Sequence, residues 1–281
     1  MITKNPMQLK ALIKKQAAEK NVSSQIVMQN YMMERFLERI SLSSYKNNFI
    51  LKGGFLIAAI VGLDTRATMD MDATIKGMDL THESIRRIFD DICKIEITDD
   101  VKFSVLRTTD IHKGDDYPGI RISLTADYLP LKVPLSVDVT TGDKITPREV
   151  EHSFQLMFDE RSISVLAYNL ETIIAEKLET ILSRNEANTR PRDFYDVYIL
   201  QKLRGYECNP IILKEALMRT TAKRGSQDIL TRHKTIMNEI KNSSRLMEFW
   251  GRYQREFAYA DDILYKDICQ AIDEILNKVL K

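Results

Sequence analysis

Asp70 and Asp72, in the run Arg66-Ala-Thr-Met-Asp70-Met-Asp72-Ala-Thr-Ile75, are the residues best placed by type and spacing to do chemistry. The run alternates: Met69, Met71, Ala73 and Ile75 fall on one side of an extended strand, and Asp70, Asp72 and Thr74 on the other. Two carboxylates on one pleated face repel each other, and a divalent cation relieves that repulsion. Mg²⁺ suits the task, because it takes one or two protein carboxylates and fills its other positions with water and phosphate oxygens. Just upstream, Lys52-Gly53-Gly54 forms a glycine turn that leads into a helix. A helix N-terminus offers backbone N–H groups and about half a positive charge, which suits a triphosphate. Alone, the turn reads equally as a tight corner; with the acidic pair it implies a metal–nucleotide site.

Three further segments stand out. In Pro134-Leu-Ser-Val-Asp138-Val-Thr140, Leu135, Val137 and Val139 face one way and Ser136, Asp138 and Thr140 the other. Aspartate is disfavoured in strands, so Asp138 either serves a site or lies on a solvent face or turn. Beside Asp70 and Asp72 it would make three carboxylates, enough to hold one or two metal ions and activate a hydroxyl toward phosphorus. On a helix over 170–184, Leu170, Ile173, Ile174, Leu178 and Ile181 form an apolar stripe with Lys177 along its middle. Glu176, Glu179, Thr180 and Ser183 take the opposite side, and Arg184 lies near the Lys177 direction. A lysine so placed either snorkels to the edge or meets an anion such as phosphate. In Arg190-Pro-Arg192-Asp193-Phe-Tyr-Asp196-Val-Tyr, Asp193 suits the start of a helix, whereas Asp196 shares an arc with Leu200 and Leu203. Asp196 then pairs with Lys177 or an arginine across a helix hairpin, or binds substrate.

The elements that must position these groups follow from glycine and proline usage. Seven of ten glycines lie between 53 and 142 and four of seven prolines between 118 and 147, so the middle reads as strands and turns and the flanks as helices. Helices are expected over 7–20, after a Ser23 or Ser24 cap to about Ile40, over 55–61 (apolar all round, hence buried) and over 81–94. Strands are expected at 49–52, 101–105, 120–124, 133–139 and 162–166, with helices from Leu170 to the end. The fold class is α+β: a mixed sheet with flanking helices over 1–168, then a helical C-terminal domain over 169–281.

Composition sets the bounds. At 44% hydrophobic and 29% charged, the 281-residue chain is that of a globular protein with a proper core. No window approaches the ~20 apolar residues of a membrane span. The N-terminus lacks the apolar stretch of a signal peptide, so the expected location is the cytoplasm. Cys93, Cys208 and Cys269 are scattered, as are His82, His112, His152 and His233, which argues against a disulfide framework or a structural zinc site. Net charge is +1, yet residues 214–255 carry ten Lys/Arg against four Asp/Glu, and 256–274 carry six acids against Lys266. The basic stretch either meets a polyanion or is a solvated face neutralised by the acidic helix after it.

Tyr31-Met-Met-Glu-Arg-Phe-Leu-Glu-Arg-Ile, Phe49-Ile-Leu-Lys-Gly-Gly, Arg66-x-Thr68-x-Asp70-Met-Asp72, Ala175-Glu-Lys177-Leu-Glu-x-Ile and the Arg190–Tyr198 run together resemble the AbiEii/AbiGii toxin family of nucleotidyltransferases, over roughly residues 25–200. The resemblance implies a DNA-polymerase-beta-like core, with Asp70 and Asp72 as the metal pair and Asp138 as the third carboxylate by strand position. Gly53 and Gly54 match the triphosphate loop, and Lys52, Arg66, Thr68 and Arg184 join it as nucleotide-binding candidates. Lys177 matches a lysine near the nucleotide phosphates, and Asp193 or Asp196 a downstream catalytic aspartate. Gly54 stands where the superfamily often has serine. Family members are toxins of toxin–antitoxin and phage-defence systems; some add nucleotides to RNA such as tRNA, and GTP binding occurs among them. The expected activity is therefore Mg²⁺-dependent transfer from an NTP (GTP or a pyrimidine NTP) to an RNA acceptor, with tRNA foremost and an antitoxin as partner. The rival is a non-catalytic nucleotide-binding or interaction protein on the same core. A metal-dependent nuclease or phosphatase would use the carboxylates but leave the triphosphate turn unexplained.

Overall fold

A computed structural model describes residues 5–111 and 119–281, so Met1–Lys4 and His112 lie outside the described residues. The chain divides into two compact units, one of residues 1–143 and 150–167, the other of 144–149 and 168–281.

The first unit is built on a seven-stranded mixed sheet. Its strands are β1 (Phe49–Lys52), β2 (Met71–Ile75), β3 (Lys102–Ile111), β4 (Gly119–Tyr128), β5 (Leu131–Thr141), β6 (Val150–Gln155) and β7 (Ser162–Ala167). They lie in the order β3-β4-β5-β2-β1-β7-β6. β2 runs antiparallel to β1 and parallel to β5, and β1 runs parallel to β7. Alternation does the positioning on β5: Val133, Leu135, Val137 and Val139 are buried while Ser136, Asp138 and Thr140 are half-buried. β6 is an addition to the expected strands, because its Glu-His-Ser-Phe-Gln run shows little apolar alternation and is held by pairing with β7.

Helices α1 (Pro6–Glu19), α2 (Ser24–Leu42), α3 (Gly53–Val61) and α4 (His82–Cys93) complete this unit. Ser23 caps α2 by accepting from the Ile26 N–H at 3.2 Å. On α4 a Thr81–Ser84 capping box fixes the start, and Ile85, Ile88, Phe89 and Ile92 are buried at helical spacing.

α2 departs from simple amphipathicity, since Glu34, Arg35, Glu38 and Arg39 are buried with its apolar residues. They pair with one another and with groups far along the chain. Arg39 forks onto Asp99 with two 2.8 Å bonds, and Glu38 accepts from Arg161 at 2.7 Å and from Arg35 at 2.6 Å. Buried charge is tolerated only when paired in this way.

The second unit contains α5 (Leu170–Arg184), α6 (Pro191–Arg204), α7 (Pro210–Arg224), α8 (Asp228–Asn242), α9 (Ser244–Glu256) and α10 (Tyr265–Val279). Residues 144–149 belong here because the Thr146 N–H donates to Thr172 Oγ1 at 3.0 Å and Asn169 donates to the Thr146 carbonyl at 2.6 Å. Glu179, on the side of α5 opposite its apolar stripe, is buried and bonded to Arg224 and to Ser226 at 2.8 Å. The basic stretch is thus partly spent internally, with Arg224 on Glu179 and Lys241 on Asp273. No helix among the described residues is long and apolar enough to cross a membrane.

Candidate active site

Strand register assembles the polar face of the sheet. Lys52 of β1 pairs across from Asp72 of β2, Asp72 from Asp138 of β5, and Asp138 from Arg121 of β4. Directly opposed residues share a face, so four neighbouring strands present two adjacent carboxylates flanked by a cation on each side.

β1 ends at Lys52 and α3 begins at Gly53, whose φ of +65° lies in the region that favours glycine. A Cβ on Gly53 would come within 2.1 Å of Asp72 Oδ2, so the carboxylate rests directly on the backbone of the turn. At Gly54 a Cβ would meet Thr68 Oγ1 at 3.0 Å and Arg66 Nη2 at 3.3 Å. A hydroxyl therefore stands beside the turn even though Gly54 replaces serine. Arg66 is buried and donates to the Ala67 carbonyl, and the Thr68 carbonyl accepts from Asn30 at 2.6 Å, which pins the loop that precedes the acidic strand. Lys52 Nζ donates to Thr140 Oγ1 at 2.7 Å and pairs with Asp143 at 2.5 Å.

Asp70 is exposed just before β2, and Asp72 and Asp138 are half-buried within the sheet. Arg121 was not anticipated. Its Nε and Nη2 donate to the two oxygens of Asp138, each at 2.7 Å. Those hydrogen bonds raise the arginine pKa above its ordinary value; burial opposes the rise, and the charges of Asp138, Asp70 and Asp72 add to it. All three aspartates therefore act on one guanidinium. Among the described residues no group of three or more His, Cys, Asp or Glu is arranged to hold a metal ion. Asp72 and Asp138 are nonetheless register neighbours, and both oxygens of Asp138 accept from Arg121.

In the helical unit, Lys177 Nζ lies 2.6 Å from Asp193 Oδ1 and 2.9 Å from Asp196 Oδ2. The side chains are 19%, 6% and 0% exposed respectively, so the lysine is held inward rather than snorkelling. Of the alternatives for Asp196, the structure shows the pairing with Lys177. The second oxygen of Asp193 is buried with no hydrogen-bond partner among the described residues. Arg184 is exposed in the last turn of α5.

A mixed sheet carrying in-register aspartates beside a glycine corner has the architecture of a nucleotidyltransferase. A proposed nucleotidyltransferase from H. pylori matches at 13% identity and TM-score 0.51, over 92% of this chain and 97% of that one. The protein JHP933 from Helicobacter pylori matches at 13% identity and TM-score 0.50, over 92% and 94%. At this identity the likeness is one of fold. No curated protein matches the chain. The family model "Nucleotidyl transferase AbiEii toxin, Type IV TA system" matches residues 35–278, so the chain belongs to the AbiEii family of toxin nucleotidyltransferases. That match runs on through the C-terminal helices, well past the motifs that carried the resemblance.

Proposed function

We propose that this toxin nucleotidyltransferase uses Mg²⁺ and an NTP to modify an RNA acceptor, with tRNA the foremost candidate, in a toxin–antitoxin or phage-defence setting. One observation carries the reading: Asp72 and Asp138 are direct neighbours in a parallel strand pair, and Asp72 rests on the glycine turn. The donor set fits a hard cation, since only carboxylate oxygens are offered and a positive group already sits among them. Asp70, Asp72 and Asp138 would hold the ion, which would supply positive charge to the phosphate oxygens as the nucleotide transfers.

The chain's own groups do the rest. Lys52 and the α3 N-terminus attract and orient the triphosphate, with Arg66, Thr68 and Gly54 shaping the turn. Asp138 either completes the ligand set or takes the proton of the RNA hydroxyl as it attacks the α-phosphorus and pyrophosphate leaves. Within the helical unit, Lys177, held by Asp193 and Asp196, is a separate candidate phosphate contact, with Arg184 a further basic candidate. The basic residues of 214–255 that remain exposed, including Arg245 and Arg255, suit an RNA backbone.

The test is incubation with each labelled NTP, Mg²⁺ and total tRNA. Label in RNA that disappears with Asp72→Ala supports the proposal. No label with any nucleotide, together with an Asp70→Ala protein as toxic in cells as wild type, overturns it.

A further inference from the structure

We propose that Arg121 is a tethered counter-ion that competes with a divalent cation for Asp138 and so makes cation binding depend on nucleotide. This rests on the reading of Asp70, Asp72 and Asp138 as the cation-holding carboxylates.

Both oxygens of Asp138 carry a guanidinium hydrogen bond at 2.7 Å, so a cation approaching that carboxylate must share or displace Arg121. Displacement is sterically easy. The Arg121 side chain is 45% exposed against 16% for Asp138, while Ile120 and Ile122 on either side anchor β4 in the core. The arginine can therefore swing outward without moving the strand. Its charge also opposes a second cation at the same carboxylates, because like charges in a half-buried site repel. A guanidinium is a strong bidentate partner for phosphate as well as carboxylate. When a triphosphate enters, Arg121 exchanges Asp138 for phosphate, Asp138 passes to the cation, and the two ligands bind cooperatively.

Mn²⁺ serves as the probe, with its binding to the full-length protein followed by calorimetry and by the spin-resonance signal of unbound ion. Without nucleotide, Arg121→Gln should bind Mn²⁺ about tenfold more tightly than wild type, the scale of releasing one charge-assisted hydrogen-bond pair at a half-exposed position. With a non-hydrolysable NTP present that advantage should shrink or reverse. Arg121→Lys, which keeps the charge but loses the fork, should fall between, and it decides by the same criterion if Arg121→Gln does not fold. Asp72→Asn should lose the ion in every background. Equal or weaker Mn²⁺ binding by the Arg121 variants, with wild type still binding, overturns the counter-ion role and leaves the site assignment standing. No Mn²⁺ bound by wild type or either variant, with or without nucleotide, overturns the site assignment itself.

Discussion

The carboxylate of Asp72 occupies space that any side chain on Gly53 would need, within 2.1 Å of where its Cβ would stand. Gly53→Ala should therefore act twice. Strain at φ +65° costs about 1 kcal/mol, a fall of a few degrees in Tm, and Asp72 is pushed off the turn. Gly142 has φ +73° and, among the described residues, nothing within 4 Å of its would-be Cβ, so Gly142→Ala separates strain from displacement. Thermal unfolding should drop for both but further for Gly53→Ala, whose Cβ would also stand 2.7 Å from Asp72 Cβ, and Mn²⁺ binding should fall only for Gly53→Ala.

Asp72→Asn keeps the shape of the strand and removes a charge from the carboxylate row. Losing several kcal/mol of transition-state stabilisation corresponds to a drop of roughly a hundredfold or more in transfer rate. Single-turnover transfer of labelled nucleotide at saturating NTP measures it; a fall of less than about threefold would remove Asp72 from the machinery.

Lys177 bridges two carboxylates inside the helical unit. Lys177→Met removes the cation that bridges two buried carboxylates, which should cost about 3 kcal/mol or more. Adding Asp196→Leu should recover part of that loss, because an apolar neighbour tolerates the vacated site. Urea midpoints of the single and double variants report the difference.

Glu34 carries a pH signature. Its pKa rises from 4.5 to about 7, chiefly through burial, against the lowering pull of Arg35 and the Met157 N–H. Between those values the native state holds a proton that the unfolded chain releases, so Glu34 lowers stability progressively as pH climbs from about 4.5 to about 7. Glu34→Gln should flatten the stability profile across that window, as read by denaturant unfolding at several pH values.

Local chemistry was legible in the sequence wherever it was self-contained. The Thr81 cap with its Ile85-Ile88-Phe89-Ile92 stripe, the Gly53-Gly54 corner after a short strand, and the helix over 170–184 all depend on residues within a few positions of one another. What escaped was set by distant partners. Arg121 alternates out of an apolar strand like any surface residue, and only the β4–β5 hairpin gives it a role. Counting outward from the Tyr128–Leu131 pair, seven steps along each strand bring it opposite Asp138. Had the turn at Leu129-Pro130 been read as a hairpin, the arginine was within reach. The buried charges of α2 escaped similarly: Arg39 meets Asp99 and Glu38 meets Arg161, sixty and more residues away in sequence. β6 escaped because its pairing with β7, rather than its own pattern, makes it a strand.

The short stretch 144–149 leaves the sheet to bond with Asn169 and Thr172, after which the chain returns to the sheet at Val150. Neither unit is therefore a continuous length of sequence. A gene fragment stopping near residue 168 would encode those six residues without the helix that holds them, and would expose the Thr146 amide and carbonyl to water. Single-crossover chimaeras between relatives would split the same element. Splicing this protein into halves that behave as independent parts would require moving two joints at once.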